Sequence, residues 1–411
     1  MLVRECVNMQ QTKNKWLIVL SAIGLHICIG SVYAWSVLAR PIMEATGFSL
    51  KEVTWTFSVA ILCLGLSAGF LGKLVEKNGP RKSGLIGTAL FCLGLLGTAF
   101  ALGQNSLTLM YLAYGVLGGI GIGIVYITPI STLVKWFPNN RGLATGLAIM
   151  GFGFASLIAG PAMQMLITKY GLVQNFIIMG CVYAVVMTAS SLYLEPPKEA
   201  PESEAKKASA STPVVTARQY TAGEAMRDWR FGALWWILFT NITCGIGLLS
   251  VASPMAQEVI KMTPLEAASM VGIIGLLNGA GRICWSTISD YIGRLNTYIT
   301  FFVIEIAAFY MLASVTDSFF FQALIFIIIT CYGGGFSCMP AYLSDLFGTQ
   351  QLSAIYGRIL TAWGLAGIVG PLLLSVIYEQ TNSYGLTLYF FSGCFVVSLV
   401  VCLILKLKGK K

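Results

Sequence analysis

Arg282 stands inside a long apolar run, with Asn278 four residues before it. At that spacing two side chains share one face of a helix. A guanidinium offers parallel N–H donors that match the two oxygens of a carboxylate, and an amide beside it adds another donor. The pair therefore has the makings of an anion site. The competing reading is an arginine that stretches toward water, or one that pairs with Asp290. His26, the single histidine, can titrate near neutral pH. It precedes Tyr33 by seven residues, which puts both on one helix face about 10 Å apart. Glu305 is a second titratable group in an apolar run. Either could carry a proton, and either could be a packing residue with its polar atoms satisfied.

The elements that position these residues must lie in lipid. Hydrophobic residues make up 56% of the 411 positions and charged residues 10%, too few to coat a soluble protein of this length. Twelve apolar runs lie near 15–39, 53–72, 83–103, 107–131, 142–168, 172–194, 231–256, 265–288, 296–316, 318–343, 352–377 and 384–405. Each reaches about 20 residues, enough for a helix to cross a hydrocarbon core of about 30 Å. Continuous apolarity excludes β-barrel strands, which alternate. We call the runs spans 1 to 12. The 44 glycines would weaken soluble helices but let membrane helices approach closely.

The net charge of +9 is topological and does not point to nucleic acid. Twenty of the 26 Lys and Arg residues fall on one set of alternate loops and the termini, and four on the other set. The positive-inside rule then places both termini in the cytoplasm. Residues 195–229 are the one long polar stretch and read as a cytoplasmic linker between bundles at 1–194 and 230–411. Thr221-Ala-Gly-Glu224 near its end has the form of a capping box.

The two sides of the linker repeat one another. Glu76, three residues before Gly79, recurs as Asp290 before Gly293, an offset of 214. Gly160-Pro161 recurs as Gly370-Pro371, an offset of 210. Both halves start on the same side, so they are parallel repeats related by an axis along the membrane normal. In this respect the chain resembles the major facilitator superfamily. That resemblance implies that the loops carrying Glu76 and Arg81, and Asp290 and Arg294, latch helix ends together. Glu76 replaces the more usual aspartate.

More narrowly, the chain resembles the oxalate/formate antiporter family, which is related to the monocarboxylate transporters. The likeness rests on Gly30-Ser-Val-Tyr33-Ala-Trp35-Ser36 with Pro41, Gly123-Ile-Val-Tyr126, Lys135-Trp-Phe-Pro138 with Arg141-Gly142, Asn278-Gly-Ala-Gly-Arg282, and Ser344-Asp-Leu-Phe-Gly348 with Tyr356-Gly357. It implies that Arg282 binds the substrate anion, with Tyr33, Tyr126, Phe152, Tyr332 and Phe336 as aromatic walls. Tyr332 and Phe336 share a face by spacing alone. One departure stands out. Where oxalate-carrying members have a second cation as lysine, this chain has Trp363. Arg358 is nearby but about 140° around the helix from Trp363, and reads as a gating residue.

The sequence thus predicts an all-α carrier of a small organic anion, a monocarboxylate such as formate, lactate or pyruvate with oxalate as the alternative, working by exchange or proton symport. It would act as a monomer in the cell membrane. No nucleotide-binding motif, zinc spacing or cysteine pair motif occurs, so no cofactor or metal is expected. Two rivals are a proton-driven drug exporter, suggested by Gly160-Pro161, and a membrane sensor that binds an anion without moving it. The first usually needs an intramembrane carboxylate in spans 1 to 6, and those spans have none in their interiors.

Overall fold

The computed structural model describes residues 13–197 and 219–408. Most of the linker expected at 195–229, at 198–218, lies outside the described residues. Among the described residues, eleven helices are long and apolar enough to cross a membrane. One of them is double. Leu50–Gly103 runs for 54 residues, about 80 Å of helix, more than twice the hydrocarbon thickness. It breaks at Gly79, whose φ of 73° and ψ of 170° no helix contains. Pro80 then starts the next segment, where its missing N–H costs nothing. Twelve crossings result, matching the twelve apolar runs.

Spans 1 and 4 are irregular. Span 1 joins Lys15–Gly30 to Trp35–Thr46 through a 3-10 turn, Ser31–Ala34, that carries Tyr33. Span 4 joins Leu107–Met110 to Gly119–Trp136 through a π-helical stretch, Tyr111–Gly118. The others are Arg141–Tyr170, Leu172–Tyr193, Trp229–Val259, Pro264–Ile292, Arg294–Leu312 and Ser318–Phe347 for spans 5 to 10. Span 11 is Leu352–Ile359 continued by Thr361–Thr381, and span 12 is Gly385–Lys408. Several run a turn or more past the apolar runs, because helices continue into the interface once their ends are capped.

The repeat extends to these caps. Span 2 opens with a capping box between Ser49 and Glu52, and span 8 with one between Thr263 and Glu266. The Ser49 and Thr263 backbone N–H groups each donate to the facing carboxylate at 2.8 Å. Thr221 and Glu224 form the predicted box at the start of Ala222–Arg227, which leads into span 7.

The outer surface is apolar. Phe70, Val185 and Phe319 are more than 70% exposed, as lipid-facing side chains must be. Between the halves, span 5 packs on span 8 and span 2 on span 11 with almost no side chain between them. A methyl group on Gly153 would sit 2.7 Å from the Cα of Gly279, and one on Gly65 would sit 2.7 Å from the Cα of Gly364. Glycine is therefore required at these crossings.

Candidate anion site and its gate

Span 8 carries Arg282 into the seam between the halves, where it is fully buried. Its Nε donates to Asn278 Oδ1 at 3.1 Å, and one terminal nitrogen donates to the Ile149 carbonyl of span 5 at 3.4 Å. The other terminal nitrogen, Nη2, has no hydrogen-bond partner among the described residues. Among the described residues no acidic side chain forms an ion pair with the guanidinium. Two glycines make its room. A methyl on Gly153 would lie 3.3 Å from Nε, and one on Gly333 would lie 3.3 Å from the arginine's Cγ.

Aromatic faces do part of the work of a counter-ion. The guanidinium carbon stands 5.7 Å from the Phe152 ring centre and 5.1 Å from that of Phe336. A desolvated contact of this kind contributes about 2 kcal/mol. A guanidinium at membrane depth costs about 2.5–3.5 kcal/mol or more. One free donor and an incompletely balanced charge remain, which is what an anion would satisfy.

The structure brings the other predicted pocket residues to this place from five more spans. Tyr33 meets Phe152 at 5.0 Å between ring centres, and Tyr126 meets Phe152 at 5.3 Å. Tyr332 meets Phe336 at 5.4 Å, and its hydroxyl lies 3.4 Å from that of Tyr33. Trp363 is the hub, at 4.8 Å from Phe336, 5.2 Å from Tyr126 and 5.5 Å from Phe152. His26 adjoins the cluster, 5.3 Å from Tyr126. Tyr356 also belongs to it, 6.3 Å from Tyr126, and was not expected. Its spacing of seven residues before Trp363 was the available signal.

Two candidates lie elsewhere. Glu305 is fully buried within the second half, where Asn241 of span 7 donates to its two oxygens at 3.3 and 3.5 Å. Arg358 has a buried terminal nitrogen without a partner, and no ring contact or hydrogen bond joins its side chain to the cluster among the described residues.

On the face where the linker emerges, two carboxylates hold the halves together. Asp290, at the end of span 8, accepts from the backbone N–H groups of Gly142 and Leu143, each at 2.9 Å. These open span 5 of the opposite half. Glu76, in span 2, accepts from the Ser353 N–H at 2.7 Å, which opens span 11. Each carboxylate thus caps the positive end of a helix across the seam, a geometry that favours negative charge. Arg294 pairs with Asp290 at 2.5 Å and with Asp345 at 3.0 Å, and Arg141 pairs with Asp345 at 2.9 Å. Lys135 stands 3.7 Å from Glu76. The seam is closed on this face.

Arg81 takes no part in that latch. Its side chain is half exposed and lies 3.7 Å from Glu195, which Lys13 also pairs at 2.9 Å. Glycine and proline precede Arg81, whereas Arg294 follows its glycine directly, so the two arginines are not equivalent in the repeat. Arg141, Asp345, Lys135 and Ser353 were missed as latch residues because their partners lie in another helix or across the seam.

The family model described as Major Facilitator Superfamily matches residues 20–371 and 248–410. The oxalate:formate antiporter of Oxalobacter formigenes is 29% identical over 361 residues, which cover 87% of this chain and 83% of that protein. Monocarboxylate transporter 14 of Mus musculus is 23% identical, covering 95% of this chain and 89% of that protein. Among solved structures, the Escherichia coli fucose:proton symporter FucP matches with a TM-score of 0.73 at 12% identity, covering 95% of this chain and 99% of that one.

Proposed function

The chain belongs to the Major Facilitator Superfamily of membrane transporters, and from that premise we propose that it carries a small monocarboxylate such as formate, lactate or pyruvate. One observation carries this reading. A fully buried arginine with an unpartnered donor sits in an aromatic enclosure at the seam between the halves. Arg282 grips the carboxylate, Asn278 steadies the guanidinium, and Tyr33, Tyr126, Phe152, Tyr332, Phe336 and Trp363 exclude water. The likeness to an oxalate:formate antiporter and a monocarboxylate transporter supports the same substrate class.

Transport follows from rocking the halves about this site. The latch of Glu76, Asp290 and Arg294 closes the linker face, and its breaking opens the pocket there. The bundles are 1–194 and 230–411, working as a monomer. Both termini and the 195–229 linker face the cytoplasm, which the distribution of Lys and Arg supports. A cysteine replacing Arg227, in a background without native cysteines, should be inaccessible to an impermeant thiol reagent outside intact cells. Labelling there would invert the orientation.

Coupling follows from the buried guanidinium of Arg282. The empty carrier must reorient with an unbalanced buried cation, whereas a bound anion neutralises it, so exchange is faster than net movement. In this reading His26 and Glu305 are not required to carry protons. Liposomes holding only the purified protein and preloaded with unlabelled lactate should take up labelled lactate several-fold faster than anion-free liposomes. Equal rates would favour proton symport through His26 or Glu305, and no uptake by folded protein would overturn the carrier itself.

A further inference from the structure

Arg358 is a cation that the anion site leaves unused, and its own helix turns it toward lipid. Along span 11, Thr361, Leu365, Leu372 and Val376 reach the outer surface. Steps of four, seven and four keep them on one helix face. Arg358 lies three residues before Thr361 and seven before Leu365, so it ends that stripe on the linker side, partly exposed. One of its terminal nitrogens, Nη1, is buried without a hydrogen-bond partner among the described residues.

Span 2 runs alongside. A methyl group on Gly72 would lie 2.5 Å from the Ala354 Cα, and one on Gly69 would lie 3.9 Å from the Arg358 Cα. The lipid-facing Leu66 and Phe70 of span 2 are followed at the same spacing by Lys73 and Lys77, both exposed. Span 7 borders the groove through Trp235, whose Nε1 donates to Thr361 Oγ1 at 2.9 Å. Two apolar stripes therefore run side by side toward the linker face, and each ends in a cation from a different half. Next to those ends a crevice of about 600 Å³ is lined by Lys73, Lys77, Gln350 and Gln351. Glu76 also borders it, but its carboxylate is occupied by the Ser353 N–H and by Lys135.

A phosphodiester carrying acyl chains fits this pattern. Its oxygens match the guanidinium fork, and an arginine near a helix end can stretch to headgroup level. Basic grooves between membrane helices hold anionic headgroups in this way. The chains would cover Leu66, Phe70 and Leu365, which a free anion would leave bare. A headgroup carrying its own ammonium would be repelled by Lys73 and Lys77.

We propose that the groove between spans 2, 7 and 11 holds an anionic phospholipid of the leaflet on the linker face, with its phosphate on Arg358 and Lys73. Those cations belong to opposite halves, and opening the seam here parts span 2 from span 11. The lipid thus favours the closed latch.

Native mass spectrometry of the purified protein, offered phosphatidylglycerol and phosphatidylcholine in equal amounts, measures the preference. Wild-type protein should retain phosphatidylglycerol at least fivefold over phosphatidylcholine. Arg358→Gln should bring the ratio below twofold, and Lys73→Gln should lower it too. Ser353→Cys, in a background without native cysteines, reports the latch, because Ser353 is buried in the closed seam. Its reaction with N-ethylmaleimide should be at least threefold slower in phosphatidylglycerol liposomes than in phosphatidylcholine, and adding Arg358→Gln should abolish the difference. Equal retention of the two lipids by wild-type protein would overturn the site. A ratio unchanged in both variants would overturn the assignment to these cations. Equal maleimide rates would overturn the effect on the latch. The same slowing by inorganic phosphate in phosphatidylcholine liposomes would overturn the lipid as the source of the anion.

Discussion

Arg282→Lys should lose nearly all transport, with substrate affinity falling about 30- to 150-fold, or about 2–3 kcal/mol. Charge is conserved in this substitution, so the loss isolates geometry. A guanidinium can keep Nε on Asn278 and still present Nη2 to a carboxylate oxygen. An ammonium is a point donor on a flexible stem and cannot do both. It also loses the guanidinium's contacts with the Phe152 and Phe336 rings. Arg282→Gln separates binding from folding. That protein should also fail to transport, yet unfold at the same temperature as wild type or above it, because an uncompensated buried charge destabilises the fold. Initial uptake rates and thermal unfolding, measured on all three proteins, check the prediction. A lysine variant within threefold of wild type would show that Arg282 supplies charge alone.

Trp363→Lys should move the preference toward dicarboxylates by at least tenfold in the oxalate-to-lactate affinity ratio, or about 1.4 kcal/mol. Among the described residues the wild-type enclosure holds one cation, Arg282, walled by the rings around Trp363. A second carboxylate there would stand against apolar walls without a partner, which costs at least a few kcal/mol. A lysine at 363 places an ammonium at the hub of those rings. Removing the indole also opens a cavity and destabilises the fold by about 3–5 kcal/mol. Trp363→Met is therefore the necessary control, since it opens much of the space without the charge. Displacement of a bound monocarboxylate by oxalate gives the ratio directly. A methionine variant that shifts it as far as lysine would attribute the change to volume.

Much of this arrangement was legible in the chain before any coordinates. Apolar run length fixed the crossings, because lipid leaves a backbone no alternative to helix. Repeats at offsets of 214 and 210 revealed the halves, and the capping boxes at Ser49 and Thr263 repeat the first offset at the other end of those spans. Arg282 and Asn278 could be paired because i,i+4 geometry is internal to one helix. The contacts that escaped all cross between helices. Periodicity tells which face a residue occupies but not which helix meets that face. Asp290 could be assigned to a latch by resemblance, whereas its bonds to Gly142 and Leu143 across the seam could not be read from spacing. Arg81 looked equivalent to Arg294, but its place beyond Gly79-Pro80 turns it to Glu195. Tyr356 was missed although the spacing that linked His26 to Tyr33 would also have linked it to Trp363.

The proposed transport activity rests on one cation, Arg282, anchoring one carboxylate in this enclosure. Calorimetric titration of the wild-type protein with lactate and with oxalate, at one pH and ionic strength, tests it most directly. Lactate should bind more tightly than oxalate, and the Arg282→Gln protein should not bind lactate. Tighter binding of oxalate would contradict it, and would make Arg358, whose buried terminal nitrogen has no partner among the described residues, the candidate second anchor.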